Sequence, residues 1–171
     1  MNEPIHYREL VPADQAAFHN LRAQALQSNP EAFGSSLEEE MAFIDRRFTQ
    51  QFSVAGRFIM GAFAGERLVG MLGFVRETRR NAQHRGSIWG MFVTPEFRSC
   101  GIGMRLFEHL LHRLDALEGL EQIELMVSEQ SPAARRLYER AGFVEFGRLP
   151  GAFSTDDGSP VGVVYMVRRR P

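Results

Sequence analysis

A short turn near the middle of the chain has the composition of an anion-binding loop. It reads Arg98, Ser99, Cys100, Gly101, Ile102 and Gly103, and it separates an apolar segment from a long amphipathic one. Glycines let the backbone approach phosphate oxygens closely, and the N-terminus of a following helix offers unpaired N–H groups and the positive end of its dipole. The guanidinium of Arg98 adds N–H donors suited to phosphate. The turn therefore predicts a site for a phosphorylated ligand.

The glycine spacing alone does not identify that ligand. The turn lacks the Gly-Lys-Ser/Thr sequence of a Walker loop, and Leu106 and Phe107 lie near the position of the third glycine in a dinucleotide-binding fingerprint. A tight connection between a strand and a helix would explain the same residues without any ligand. Nucleotides, phosphorylated substrates and coenzyme A are all alternatives at this point.

A second segment with chemical potential begins at Ser131. Ser131 and Pro132 are typical of a helix start, with a capping hydroxyl followed by proline at the first helical position, and Gly142 is typical of a helix end. Tyr138 lies on the apolar face of this predicted helix. Its ring could serve only for packing, as most such tyrosines do, or its hydroxyl could take part in chemistry.

These two segments lie within a predicted mixed α/β fold of about seven strands and four helices. Hydrophobic periodicity predicts, in order, a strand, two helices, three strands, a helix, a strand, a helix and two strands. This order differs from the strict alternation of a doubly wound fold. Ser36 is predicted to cap the second helix. The polar segment 151–160 is predicted to be a loop between the last two strands.

Composition and charge exclude several classes of function. A length of 171 residues predicts a single domain over residues 1–171, and a net charge of -1 disfavours nucleic-acid binding. No apolar run reaches the roughly 18–20 residues of a membrane span, and the first residues do not resemble a signal peptide. The lone Cys100 fits a reducing cytoplasm, where we expect the protein to reside. The basic run Arg168, Arg169 and Arg170 is expected to be a solvated tail.

Taken together, the two segments resemble the motifs of the GNAT superfamily of acetyl-CoA-dependent N-acetyltransferases. Arg-x-x-Gly-x-Gly follows an apolar strand at Arg98, and Ala-x-x-Leu-Tyr-x-x-x-Gly-Phe begins at Ala134. The resemblance implies a GNAT-like fold, acetyl-CoA as the acetyl donor, a small-molecule amine as acceptor, no metal and, as an expectation for the family, a homodimer. Acetylation of a protein N-terminus or lysine, and a non-catalytic acyl-CoA-binding module, are the alternatives.

The resemblance also implies roles for individual residues. The backbone of Met91, Phe92 and Val93 is expected to pair with pantetheine as an added strand would. The pyrophosphate is expected to bind to a cradle formed by Arg98, Ser99, Cys100, Gly101, Ile102, Gly103 and Met104. Ser99 stands where glycine is common, which is expected to stiffen the turn. Ser131 falls where many members carry an asparagine that contacts the cofactor, so that it either contacts coenzyme A or only caps its helix.

By the same resemblance, Tyr138 is the general acid of a direct transfer. A neutral amine attacks the thioester, backbone N–H groups near Val93 stabilise the oxyanion, and Tyr138 protonates the leaving thiolate. With an ordinary pKa of roughly 10, a tyrosine is protonated at pH 7. Cys100 is not expected to act as a nucleophile, because no histidine is adjacent and it lies within the phosphate turn.

The base and the acceptor are less well defined. Residues 87–93 contain no carboxylate, whereas some family members carry a glutamate on this strand. The candidate bases are Glu38, Glu39, Glu77 and His84, and an amine of low pKa or a water relay would need none. Phe33 and Trp89 could form an apolar wall of the acceptor site, with Glu38 or Glu39 attracting an ammonium group, or the two aromatic residues could serve only for packing. The loop 151–160, with Asp156 and Asp157, could cover the other side.

Overall fold

The computed structural model describes residues 4–155 and 157–170, and this part of the chain contains seven strands and four helices longer than one turn. The strands are β1 (Ile5–Glu9), β2 (Arg57–Ala64), β3 (Arg67–Arg76), β4 (Arg85–Val93), β5 (Gln122–Ser128), β6 (Val144–Ser154) and β7 (Pro160–Arg169). The helices are α1 (Gln15–Ser28), α2 (Leu37–Ser53), α3 (Ile102–Asp115) and α4 (Pro132–Arg140). The predicted order of elements and the mixed α/β class are confirmed.

All seven strands belong to one sheet with the order β1-β2-β3-β4-β5-β7-β6. Every neighbouring pair is antiparallel except β4 and β5, which run parallel. The predicted hairpin between β2 and β3 is confirmed, with Gly65 at a φ of 56° in its two-residue turn. The single parallel pair requires a crossover, which α3 supplies.

Helices cover both faces of the central strands. Along β2, Phe58 and Met60 pack in the cluster with α3, whereas Ile59 and Phe63 pack in the cluster with α1 and α2. This alternation explains why β2 and β3 are almost continuously apolar, because a strand buried on both faces needs apolar side chains at odd and even positions.

The parallel strands β4 and β5 are paired only over the first part of their length. Arg85, Gly86 and Ser87 lie opposite Gln122, Ile123 and Glu124. Farther along, β4 carries a bulge in which Gly90 and Met91 together oppose Leu72 of β3, since Phe92 pairs with Met71 and Trp89 with Gly73. Gly90 has a φ of 67°, which glycine adopts with little strain. The strands therefore separate and leave a wedge-shaped opening in the sheet.

The ends of β6 and β7 differ from the prediction. β6 continues through Ser154 and β7 begins at Pro160, so that the predicted loop 151–160 is reduced to residues 155–159. Asp156 lies outside the described residues. The turn-forming residues Pro150 and Gly151 are accommodated because β6 is an edge strand with an irregular register between Leu149 and Phe153.

The basic run near the C-terminus is not a solvated tail. Arg168 and Arg169 belong to β7, and Arg170 donates hydrogen bonds to the carbonyls of Leu117 at 3.2 Å and Leu120 at 2.9 Å. These carbonyls follow the end of α3, where helical partners are absent and a cation is favourable. The prediction was wrong because a charge run indicates solvation only when no long-range partner is available.

Candidate active site

Two cavities adjoin the opening between β4 and β5. The first, here called the turn cavity, has a volume of about 520 Å³ and is bordered by the end of β4, the turn before α3, and α4. The second, here called the wedge cavity, has a volume of about 260 Å³ and lies between β4, β5 and the α1–α2 connection. Six of the described residues line both cavities, namely Ala32, Phe33, Met91, Ser131, Ala134 and Tyr138. A ligand in the turn cavity can therefore meet a second ligand in the wedge cavity.

The turn before α3 exposes backbone donors to the turn cavity. The first hydrogen bond of α3 joins the Arg105 N–H to the Gly101 carbonyl at 3.1 Å, so the N–H groups of Ile102, Gly103 and Met104 have no helical partner. A Cβ at Gly103 would lie 3.0 Å from Leu137 Cδ1 and 3.1 Å from Met91 Cε. Glycine at this position therefore keeps the helix start close to α4 and β4, with its N–H groups facing the cavity.

Two residues of the turn have a left-handed backbone. Gly101 has a φ of 77° and Ser99 a φ of 63°. A serine in this region is strained. Cys100 between them is exposed and is not among the residues that line the turn cavity.

Arg98 lines the turn cavity but also has an internal role that the sequence did not reveal. Its Nε donates to the Val93 carbonyl at 2.9 Å, and its Nη2 donates to Asn29 Oδ1 at 2.9 Å. Its guanidinium also lies over the Phe92 ring, 5.4 Å from the centroid. Arg98 therefore joins the end of β4 to the end of α1, and part of its donor capacity is used within the protein.

Tyr138 is buried where the two cavities meet, with only 7% of its surface exposed. Its ring packs against Phe107 at a centroid distance of 5.4 Å and against Phe143 at 6.5 Å. Burial raises the pKa of Tyr138 well above its ordinary value, because the phenolate form would lose its hydration. The side chain is therefore held in one place as a neutral hydroxyl group.

Ser131 is the residue before α4, but its hydroxyl does not cap the helix. Only its carbonyl takes part, by accepting from the Arg135 N–H at 3.1 Å. The predicted helix start with Pro132 in its first position is confirmed, whereas the predicted capping hydroxyl was wrong. The backbone of Ser131, with a φ of -114° and a ψ of 62°, differs from that of an ordinary N-cap residue.

The structure brings some of the predicted acceptor residues to the wedge cavity and not others. Phe33 and Trp89 line it, whereas Glu38 is exposed and does not. Glu39 accepts from the Ser36 N–H at 3.1 Å in the capping box of α2, which confirms the predicted cap. The other candidate bases, Glu77 and His84, do not line the wedge cavity either.

Sequence reasoning missed a buried charged cluster beside the wedge cavity. Arg22 of α1 and Glu40 of α2 are 5% and 1% exposed, and Arg22 Nε donates to Glu40 Oε1 at 3.1 Å. Arg47 Nη1 lies 3.1 Å from Glu40 Oε2. Burial lowers the pKa of Arg22, and Glu40 opposes this effect. A signal was present, because Arg22 lies at the i+4 position from Phe18, on the apolar stripe of α1, where an arginine needs a buried partner.

Comparison with known proteins identifies the family. The sequence profile of the Acetyltransferase (GNAT) family matches residues 18–143. A mycothiol acetyltransferase of Streptomyces scabiei is 34% identical over 145 residues, which are 84% of this chain and 44% of the relative. The chain thus spans less than half the length of that relative.

Solved structures share the fold. An acetyltransferase of the GNAT family from Streptococcus pneumoniae has a TM-score of 0.82 at 21% identity, and the match covers 98% of this chain and 100% of that one. A Salmonella typhimurium protein solved with its cofactor acetyl-CoA has a TM-score of 0.78 at 16% identity, over 97% of this chain and 94% of that one. The chain belongs to the GNAT acetyltransferase family, as its sequence motifs predicted.

Proposed function

We propose that the protein transfers an acetyl group from acetyl-CoA to the amine of a small molecule, with Tyr138 as the general acid. The observation that carries this proposal is the position of Tyr138, a largely buried side chain that lines both cavities. A cytoplasmic location, a single domain and a homodimer stay predictions from the sequence and its family resemblance.

The turn cavity fits coenzyme A. The N–H groups at the start of α3 would bind the pyrophosphate, with Arg98 holding the turn in place and adding positive charge. The edge of β4 beyond Ser87 has no β5 partner, so the backbone of Met91 can pair with an extended pantetheine chain. The hydroxyl of Ser131, which does not cap α4, is a further donor for the ligand.

The wedge cavity favours a small acceptor over a protein. Its volume of about 260 Å³ is below the roughly 300–1,000 Å³ of pockets that hold drug-sized ligands. Gly34, which lines the cavity, lies near the end of β6, since a Cβ at Gly34 would be 3.8 Å from Phe153 Cδ1. The relative named mycothiol acetyltransferase also acts on a small molecule.

The reaction proceeds by direct attack. The neutral amine of the acceptor forms the new C–N bond at the thioester carbon, and the C–S bond breaks. Tyr138 donates its hydroxyl proton to the developing thiolate, and the proton lost by the amine returns the phenol to its neutral form through solvent. No carboxylate of the described residues lines the wedge cavity, so the amine is expected to enter already neutral or to lose its proton to water.

The substitution Tyr138→Phe tests this role. It keeps the aromatic packing with Phe107 and removes only the hydroxyl, so we expect kcat to fall by about 10²–10⁴-fold while acetyl-CoA affinity is kept. Coenzyme A release with a panel of small amines measures kcat, and calorimetry measures acetyl-CoA binding. Tyr165→Phe is the matched control, because Tyr165 lies on β7 outside both cavities and should leave kcat unchanged.

The same assay separates the alternative functions. An unchanged kcat in Tyr138→Phe would refute the acid role. Tight acetyl-CoA binding without turnover of any amine would indicate a non-catalytic acyl-CoA-binding module. Turnover of peptides with a free N-terminus or lysine, but of no small amine, would indicate a protein acetyltransferase.

A further inference from the structure

The wedge cavity has a positively charged wall. The ionisable side chains that line it, among the described residues, are Arg22, Arg47 and Tyr138. Tyr138 is neutral, and the two guanidinium groups share one carboxylate, that of Glu40. The wall therefore carries one positive charge more than it has negative charges. A cationic acceptor would be repelled there, and an anionic group would be attracted.

Arg22 also has an unused donor at this wall. Its Nε is bonded to Glu40, but the buried Nη1 has no hydrogen-bond partner among the described residues. This atom lies beside the bulge of β4, since a Cβ at Gly90 would be 3.5 Å from it, and Gly90 itself lines the wedge cavity. A buried N–H without a partner is costly, particularly on a charged group. The other terminal nitrogen, Nη2, also donates no hydrogen bond among the described residues and is not one of the fully buried atoms, so a ligand oxygen in the wedge cavity can bind the guanidinium there.

The remaining walls are mostly apolar. Phe33 packs against the guanidinium of Arg22, with its ring centroid 4.8 Å from Cζ, and Trp89 lies at 5.9 Å. These rings hold the Arg22 side chain in place and leave an apolar surface for the body of a ligand. The wedge cavity thus combines a positively charged end, apolar sides and Tyr138 where it adjoins the turn cavity.

We infer that the acceptor is a small amino acid with an apolar side chain, whose carboxylate is bound by Arg22 with the support of Arg47. The inference rests on the proposed acetyl transfer for the use of the amine, but the binding of the carboxylate can be tested without it. It replaces the expectation that Glu38 attracts an ammonium group, because Glu38 is exposed and outside the wedge cavity.

The first experiment measures binding to the protein saturated with coenzyme A. Calorimetry compares leucine, methionine and phenylalanine with their primary amides, which keep the amine and the side chain but lack the carboxylate charge. We expect at least one of the three amino acids to bind about 10- to 100-fold more tightly than its amide, as for a charge-assisted hydrogen bond. Spermidine, a polycation, should not bind.

The second experiment removes the charge at the wall. Arg22→Gln should abolish the preference for the acid over the amide. This variant leaves the carboxylate of Glu40 buried with fewer hydrogen-bond partners. The double variant Arg22→Met with Glu40→Met therefore removes both charges of the pair and fills their space with apolar side chains. Arg113→Gln, which removes a surface arginine paired with Glu9 outside both cavities, is the control and should keep the preference.

The outcomes distinguish this inference from the proposed function. If none of the amino acids binds better than its amide, or if spermidine binds more tightly, the inference is wrong whatever the turnover. If the double variant loses acid and amide binding equally, Arg22 has only a structural role and the inference is wrong. If the acid preference depends on Arg22 but no acceptor is acetylated, the inference holds for binding and the proposed transfer is refuted.

Discussion

Tyr138 shows how the surroundings of one residue determine its chemical state. The same ring that packs against Phe107 and Phe143 places its hydroxyl where two cavities meet. Burial holds its pKa above the ordinary value of roughly 10, so the neutral form persists into alkaline solution. The packing of this ring is therefore compatible with the proposed role of Tyr138 as general acid, although the sequence had left packing and chemistry as alternatives.

The raised pKa of Tyr138 predicts the pH dependence of the reaction. The protonated form of Tyr138 is the active one, and a raised pKa keeps Tyr138 protonated to higher pH. Tyr138 should therefore cause no loss of activity up to about pH 10. On the acidic side, kcat/KM should fall as the pH drops below the pKa of the acceptor amine, because the protonated amine is not a nucleophile. A pH–rate profile corrected for acetyl-CoA hydrolysis measures both effects. If kcat/KM of the unmodified protein already fell with rising pH below about pH 9.5, and this fall were absent in Tyr138→Phe, the assignment of Tyr138 as a neutral acid with a raised pKa would be wrong.

At the scale of the elements, the opening of the sheet depends on how β4 is built. Its first part pairs with β5, and its bulge at Gly90 and Met91 redirects the rest of the strand. The bulge places Gly90 beside Arg22 and brings Met91 to both cavities. A bulge next to a site is a common way to direct a side chain or end a ladder. The opening in the sheet therefore results from the divergence of two strands and not from one sequence motif.

The substitution Gly90→Ala tests the role of the bulge. A Cβ there has room, at 3.5 Å from Arg22 Nη1, but the φ of 67° strains any L side chain by about 1–2 kcal/mol. We expect that loss in the free energy of unfolding, measured with urea, together with a lower kcat/KM because the strand relaxes toward regular pairing.

Gly158→Ala is the matched control for this prediction. Gly158 has a φ of 82° and lies between β6 and β7. It should show a similar loss of stability with unchanged kcat/KM. Equal activity losses in the two variants would mean that the bulge has no particular role at the site.

At the scale of the whole molecule, the turn cavity joins parts of the chain that are far apart in sequence. Asn29 and Phe33 come from the α1–α2 connection, Met91 from β4, Gly103 from α3 and Tyr138 from α4. A ligand in this cavity contacts all of these elements at once. Because the cavity exists only when they are assembled, such a ligand binds the folded state and stabilises it.

Acetyl-CoA should therefore raise the melting temperature of the protein. At a concentration of about 100 times its Kd, a ligand specific to the folded state contributes about 2.7 kcal/mol. For a chain of this size, that corresponds to a shift of roughly 5–10 °C. Thermal unfolding followed by fluorescence or calorimetry measures the shift. ATP and NAD should produce none, and an equal shift with either would argue against a coenzyme A site.

The sequence by itself determined the order of the helices and strands and the family. Apolar periodicity, the capping box at Ser36 and the glycines at 101 and 142 are local signals, and local signals decide where helices and strands begin and end. The turn at Arg98 and the tyrosine at 138 were recognisable for the same reason, since each motif lies within one short segment.

Only the tertiary structure decided what the local signals could not. The internal bonds of Arg98 to Val93 and Asn29, the charged cluster of Arg22 and Glu40, and the position of Arg170 after α3 all depend on partners from other elements. A single charged residue in a sequence looks the same whether it is solvated or buried with a partner. Its role depends on which side chains the fold brings within hydrogen-bond distance, and in this protein that assembly gave the wedge cavity its positive wall.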